Sequence, residues 1–167
     1  MKYLPFENIT YKSRHNSEEI LKRIGDSIEP KKPFKISGIF WSNNHKPYQG
    51  SFVGNSFNIT RIISYRNSFL PRINGVIEKD SNGTKINIKM RLNTFVIVFM
   101  FAWFGGVGFG CLVFLASMFE NQNFEPMSLI PFGMLIFGYA LVTGSFKYES
   151  IRSKKYLAEL FEAEIKK

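Results

Sequence analysis

Two long stretches without a charged residue dominate the pattern of hydrophobic and polar positions. Residues 94–119 read TFVIVFMFAWFGGVGFGCLVFLASMF, and residues 126–146 read PMSLIPFGMLIFGYALVTGSF. As α-helices, these 26 and 21 residues would extend about 39 Å and about 31 Å, against a bilayer hydrocarbon core of roughly 30 Å. The pattern therefore predicts two transmembrane helices.

A short polar connection, ENQNFE at 120–125, joins the two stretches and contains no Lys or Arg. Because the connection is short, we expect the helices to be antiparallel neighbours in a hairpin. The outer flanks are basic, with Lys85, Lys89 and Arg91 before the first stretch and Lys147, Arg152, Lys154 and Lys155 after the second. The positive-inside rule then predicts a multi-pass protein with both termini in the cytoplasm.

An amphipathic helix is predicted near the N-terminus. Asn16 or Ser17 can cap its free amide groups, and the two glutamates that follow favour the positive end of the helix dipole. Ile20 and Ile24 then begin an apolar stripe, and the helix should end before Pro30. We expect this helix to pack against the rest of the first half.

The period of the apolar positions changes to two after residue 38, as in half-buried strands. Gly54-Asn55 and Asn82-Gly83 lie between apolar runs and suit tight hairpin turns. The pattern predicts an antiparallel sheet with strands near 36–41, 48–53, 56–65, 72–79 and 84–92, and ENITYKS at 7–13 is a further short candidate.

After the second hydrophobic stretch, residues 147–167 read as an amphipathic tail helix. We expect it to dock on the sheet, with an interfacial position or pairing with another subunit as alternatives. The predicted fold class is α+β, an antiparallel sheet with flanking helices, interrupted by a two-helix transmembrane hairpin. Its parts are a cytoplasmic domain (1–93), the hairpin (94–146) and the tail (147–167).

Small residues recur every four positions in the hydrophobic stretches, a spacing that lets helix backbones approach closely in lipid. The candidate packing residues are Ala102, Gly106, Gly110, Ala140 and Gly144. They predict packing inside the hairpin, with a homo-oligomer interface as the alternative. A pore is disfavoured because neither stretch contains an ionisable residue.

Net charge is concentrated outside the hydrophobic stretches. Residues 1–93 hold 16 Lys and Arg against 7 Asp and Glu, residues 147–167 hold 6 against 4, and the whole chain carries +9. Basic segments beside a membrane span are attracted to anionic lipid headgroups. Orientation and solubility are the simpler interpretation of the same charge.

The segment RIISYRNSFLPR at 61–72 is the candidate binding site. Arg61, Tyr65, Arg66 and Arg72 could bind a phosphate or a carboxylate, such as a lipid headgroup, because guanidinium groups form paired hydrogen bonds with these oxyanions. Solvated arginines around a tight turn are the alternative.

No catalytic or cofactor signature is present. The single cysteine, Cys111, lies in an apolar stretch, His15 and His45 are far apart in sequence, and no phosphate-binding glycine loop occurs. Nucleic-acid binding is disfavoured because the aromatic residues occupy inward strand positions. We therefore expect no enzyme and no cofactor, but a membrane-anchored module for a protein partner, a headgroup or a small apolar ligand, or an oligomeric transport or channel accessory subunit.

The segment YQGSFVGNSFNITRIISYRNSFLPRINGVI, followed by a two-helix hairpin, resembles small uncharacterised bacterial two-span membrane proteins. The resemblance covers about residues 34–104, and the YRNSFLP string carries most of it. It implies a bacterial plasma membrane and assigns no catalytic residue.

Overall fold

The computed structural model of the chain describes residues 4–30, 46–120 and 126–166. The strand predicted at 36–41 and most of the connection at 120–125 lie outside these ranges. The fold is α+β, as predicted, with one mostly antiparallel sheet and three α-helices.

Seven strands form the sheet in the order β2-β3-β4-β5-β6-β1-β7. The strands are β1 (Phe6–Ser13), β2 (Ile28–Pro30), β3 (Tyr48–Val53), β4 (Ser56–Arg61), β5 (Arg72–Asp80), β6 (Gly83–Arg91) and β7 (Glu164–Lys166). All neighbouring pairs are antiparallel except β2 and β3. The three-residue strands β2 and β7, at the two edges, were not predicted.

The predicted strands in the described part of the chain are present, with one difference in length. The strand predicted at 56–65 ends at Arg61, because its neighbour β5 begins at Arg72, opposite Thr60, and offers no partner beyond that point. Residues 62–71 therefore leave the sheet and form a loop, which we call loop 62–71. The candidate strand at 7–13 is confirmed as β1.

Helix α1 (Ser17–Ser27) confirms the predicted amphipathic helix. Asn16 is its N-cap, and the Asn16 Oδ1 atom accepts a hydrogen bond of 2.8 Å from the Glu19 amide. Ile20 and Ile24 are buried against the sheet. The helix ends where Ile28 enters β2 beside β3.

Helices α2 (Thr94–Glu120) and α3 (Ile130–Leu160) are both long and apolar enough to cross a membrane. A 3₁₀ turn (Pro126–Leu129) precedes α3. The second predicted span and the predicted tail helix are parts of one helix, because α3 continues past residue 146 to Leu160 without a Gly or Pro to stop it. A tail helix reaching residue 167 is wrong, since residues 164–166 form β7 on the edge of β1.

The core lies between one face of the sheet and the helices α1 and α3. Phe146, Leu157 and Phe161 at the C-terminal end of the chain are fully buried. The Tyr11 hydroxyl of β1 donates a hydrogen bond of 3.1 Å to the Lys154 carbonyl, and the Ser13 hydroxyl donates one of 2.6 Å to the Phe161 carbonyl. The predicted docking of the tail segment on the sheet is therefore present, although one continuous helix provides it.

Candidate functional site

The structure distributes the four residues of the predicted anion site over three places. Arg61 and Tyr65 contact α3 on the covered face of the sheet. Arg66 is exposed in loop 62–71, and Arg72 lies on the opposite face, alternating with the buried Ile73. The four side chains do not converge on one point, so a single site formed by all of them is not present.

Arg61 and Tyr65 bind a carboxylate that the sequence did not indicate as important. Glu149 of α3 is fully buried, and its Oε2 atom accepts a hydrogen bond of 2.8 Å from Arg61 Nη1. The Tyr65 hydroxyl donates to the other oxygen, Oε1. These contacts neutralise Glu149 and hold the start of loop 62–71 against α3.

Other polar groups are buried near Glu149 between the sheet and α3. Ser150 and Ser153 are buried, and the Tyr48 ring packs against the Tyr156 ring at a centroid distance of 5.3 Å. Burial raises the pKa of Tyr48 to about 12, an effect that the neighbouring Ser153 opposes. Burial thus favours the protonated form of the Tyr48 hydroxyl.

A cleft lies between loop 62–71 and α3, with a volume of about 560 Å³. The loop side carries Tyr65, Arg66, Asn67, Ser68 and Phe69, and the helix side carries Leu141, Gly144, Ser145 and Tyr148. The Arg152 guanidinium lies 4.3 Å from the centre of the ring of Tyr148, a lining residue, in a cation–π contact. The cleft thus combines cationic and hydroxyl groups with an apolar floor.

One face of the sheet has no helix over it in the described ranges, and we call it the open face. It carries a hollow of about 860 Å³, which is within the usual size of ligand sites. The hollow is lined by Asn8, Ile9, Thr10, Lys12, Asn74, Val76, Glu78, Asp80, Lys85, Asn87, Ile88 and Lys89. Many of these groups bind one another. Thr10 Oγ1 donates to Asn87 Oδ1 at 3.0 Å, and Lys12 Nζ lies 2.8 Å from Asp80 Oδ2.

Charge is unevenly distributed along the open face. Lys89, Arg91 and Arg72 lie at the end where β6 leads into α2, and neighbouring strands bring Arg72 opposite Arg91. Glu78 and Asp80 lie toward the other end, where they pair with Lys85 and Lys12. The end of the open face nearest α2 is therefore cationic.

A cluster of ion pairs joins α1 to the end of the chain. His15 lies 3.0 Å from Glu19 and 2.9 Å from Glu162, and Arg23 lies 2.8 Å and 2.7 Å from the same two carboxylates. Hydrogen bonds from His15 and Arg23 hold the pKa of Glu162 below its usual value. No group of three or more His, Cys, Asp or Glu side chains in the described ranges could hold a metal ion.

The predicted small-residue packing positions are not where α2 and α3 touch. Ala102, Gly106, Ala140 and Gly144 are exposed, and a Cβ atom added at Gly106, Gly110 or Gly144 would meet nothing within 4 Å. The helices instead meet at Gly138, where an added Cβ would lie 2.5 Å from the Trp103 ring. The large ring of Trp103 occupies the space that a side chain at 138 would need. An oligomer interface at the exposed small residues stays a prediction.

Comparisons with protein-family models, curated proteins and solved structures find no match to this chain. The resemblance to small two-span bacterial proteins therefore stays a prediction.

Proposed function

We propose that the chain is a multi-pass protein of the bacterial plasma membrane, with both termini in the cytoplasm, and that its sheet is a non-enzymatic binding module held at the membrane surface. The direct continuity between the sheet and both apolar helices carries this proposal. Strand β6 ends at Arg91 and α2 begins at Thr94. Helix α3 runs without interruption from its apolar half into the core at Leu157.

The distribution of charge supports the same orientation. The cationic end of the open face, with Arg72, Lys89 and Arg91, adjoins the start of α2. Such groups are attracted to the anionic lipids of the cytoplasmic leaflet, and positive flanks favour retention in the cytoplasm. A sheet attached at both α2 and α3 would stay within a few ångströms of the headgroups.

The open face is the binding surface that we propose. It has no helix over it in the described part of the chain, and its hollow is lined mainly by Asn, Lys, Thr and acidic side chains. A surface of this chemistry favours the polar surface of a protein partner over a small apolar ligand.

Labelling of single cysteines in intact cells tests the proposed topology. Asn123, between the two helices in sequence, and Asn82, exposed at the β5–β6 turn, are each changed to Cys in a Cys111→Ala background. We expect a membrane-impermeant maleimide to label position 123 from outside and position 82 only after the membrane is opened. Labelling of position 82 in intact cells would overturn the cytoplasmic placement of the sheet.

An oligomeric accessory subunit is the second candidate. The observation that favours it is the exposure of Ala102 and Gly106 on α2, where a Cβ added at Gly106 would meet no atom of the described residues within 4 Å. If helices of a second copy pack there, Gly106→Leu should break an oligomer in mild detergent. Unchanged association, measured by light scattering, would count against this candidate.

A further inference from the structure

We infer that the cleft between loop 62–71 and α3 binds the phosphate of an anionic membrane lipid. The inference rests on the proposed membrane topology. It assigns a class of ligand to this cleft, which is separate from the open face. The cleft is defined above by its nine lining residues and its volume of about 560 Å³. That volume is within the range of sites that hold small molecules.

The position of the cleft along α3 favours a lipid. The uncharged stretch of α3 ends at Phe146, and the helix side of the cleft runs from Leu141 to Tyr148. At a rise of about 1.5 Å per residue, this segment covers roughly 10 Å across the boundary between acyl chains and headgroups. Leu141 and Gly144 would then face acyl chains, and Tyr148 would lie at headgroup depth, where tyrosine is enriched.

The polar side of the cleft suits a phosphate. Arg66 is exposed and lies beside Ser68, and the Arg66 guanidinium makes no hydrogen bond or ion pair with the described residues. Guanidinium groups bind phosphate oxygens in pairs, and hydroxyl groups complete the shell. None of the described residues that line the cleft is acidic. Arg152 lies over the ring of Tyr148, one of the lining residues, and brings a second cation near the cleft.

Glu149 would repel a phosphate if its charge were free, because it follows Tyr148 directly. Arg61 and Tyr65 bind its two oxygens instead, which leaves Arg66 as the exposed guanidinium on the loop. Three of the four residues that the sequence grouped together therefore serve two tasks. Arg61 supplies the counter-charge of the Glu149 carboxylate and Tyr65 hydrogen-bonds it, whereas Arg66 remains to bind the ligand.

The loop is held in place before a ligand binds. Asn67 Oδ1 accepts a hydrogen bond of 2.9 Å from the Phe69 amide, Phe69 packs against the core, and Tyr65 is bonded to α3. A preformed site loses little conformational entropy on binding. Gly144 provides the space at the floor of the cleft, since nothing lies within 4 Å of a Cβ added there.

The test uses the full chain in a neutral detergent, titrated with phosphatidylglycerol and followed by native mass spectrometry. Arg66→Gln removes the charge, and Gly144→Leu adds a side chain at the floor, where a Cβ atom would meet no described atom within 4 Å. Arg14→Gln is the matched control, because Arg14 is exposed beside the β5–β6 turn at the opposite end of the sheet. We expect both cleft variants to weaken binding of the first lipid about tenfold, the scale of one charge-assisted contact, and the control to leave it unchanged.

Two outcomes would overturn the inference. Equal binding by the wild type, Arg66→Gln and Gly144→Leu would mean that lipid attaches elsewhere. Displacement of the lipid by millimolar inorganic phosphate or glycerol phosphate would mean that the ligand is a soluble phosphate. Circular dichroism of each variant verifies the fold, and the labelling of positions 82 and 123 is read separately. Failure of the cleft variants to weaken lipid binding, with positions 82 and 123 labelled as expected, would contradict this inference and leave the proposed topology standing.

Discussion

The two apolar helices differ in how they use their side chains. Helix α2 is exposed along nearly its whole length, and Cys111 is its one buried residue among those described. Helix α3 changes character along its length. In its first half, Ile136 and Phe137 are more than 60% exposed (72% and 67%), whereas in its second half Glu149, Ser150 and Ser153 are at most 1% exposed. In the proposed topology, α2 meets lipid and the facing side of α3, with Val96 and Met100 at its start packed against the core, whereas α3 passes from lipid into the protein core.

This difference explains why α3 carries a buried polar residue that pairs with the sheet, whereas α2 carries none among its described residues. A helix in lipid satisfies its backbone internally and can leave apolar side chains outside. A helix that packs against a sheet must provide partners for the polar and charged groups on that face of the sheet. Arg61 is such a group here. Glu149 provides the counter-charge for Arg61, and Tyr65 completes its hydrogen bonds.

The largest effect is expected from removing one partner of this pair. Arg61→Gln leaves the Glu149 carboxylate buried without its counter-charge, which typically costs about 3–5 kcal/mol. Urea-induced unfolding of the sheet in detergent, followed by circular dichroism, measures the change. The double variant Arg61→Met/Glu149→Met should recover most of the loss, and a single variant as stable as the wild type would contradict the role given to Glu149.

The next largest loss of stability is expected when a buried apolar side chain in the second half of α3 is shortened. Leu157 is fully buried, so Leu157→Ala should lower the free energy of unfolding by about 2–5 kcal/mol. Ile151 on the same helix is 59% exposed, and Ile151→Ala should change stability by less than about 0.5 kcal/mol. Equal effects of the two changes would show that this half of α3 does not pack on the sheet.

Acidification should give a smaller loss of stability. Burial raises the pKa of Glu7, but Lys147 and Lys154 of α3 outweigh it and hold the pKa below the ordinary value of 4.5. A lowered folded-state pKa stabilises the protein above pH 4.5, and this contribution is lost as the pH falls below that value. Glu7→Gln should flatten the dependence of stability on pH in this range. An equally steep acid dependence in the variant would contradict the account.

The smallest effect is expected at the end of α3. Glu162 has a left-handed backbone (φ 46°), and the Glu162 and Ala163 amides donate hydrogen bonds to Glu159 and Ala158 in a Schellman arrangement. Glycine normally occupies this position, so Glu162→Gly relieves strain while it removes the ion pairs with His15 and Arg23. We expect little net change in Tm, whereas Glu162→Ala should be measurably less stable. Identical Tm values for the two variants would contradict the strain argument.

The strands and α1 could be predicted because their signals are local. The strict alternation of apolar and polar residues at 84–92 and the helix cap at Asn16 can each be recognised within a few residues of sequence. The strand β7 could not be predicted, because three residues carry no periodicity and the strand depends on the edge of β1. Its partner is about 150 positions away in the chain, a separation that local rules do not cover.

The candidate site was predicted in part. The arginine-rich segment could be identified because its residue types are those that bind oxyanions. The direction in which each arginine side chain points could not be predicted, because it depends on strand pairing and on the ion pair with Glu149. One signal could have identified Glu149: with Phe146, Ser153 and Leu157 it forms a stripe at helical spacing that crosses the assumed boundary at residue 146. Gly138 carried no such signal, because its role depends on the Trp103 ring of another helix.

The central claim is that α3 belongs both to the apolar hairpin and to the core of the sheet domain. Amide hydrogen exchange tests this claim most directly, because it measures the protection of each strand. Three chains in membranes are compared: the full chain, a chain that ends at Tyr148, and a control chain that ends at Ala163 and so lacks β7. We predict that the chain ending at Tyr148 loses amide protection throughout β1 and β6, while the control keeps protection in β6. Unchanged protection of both strands without residues 149–167 would contradict the claim.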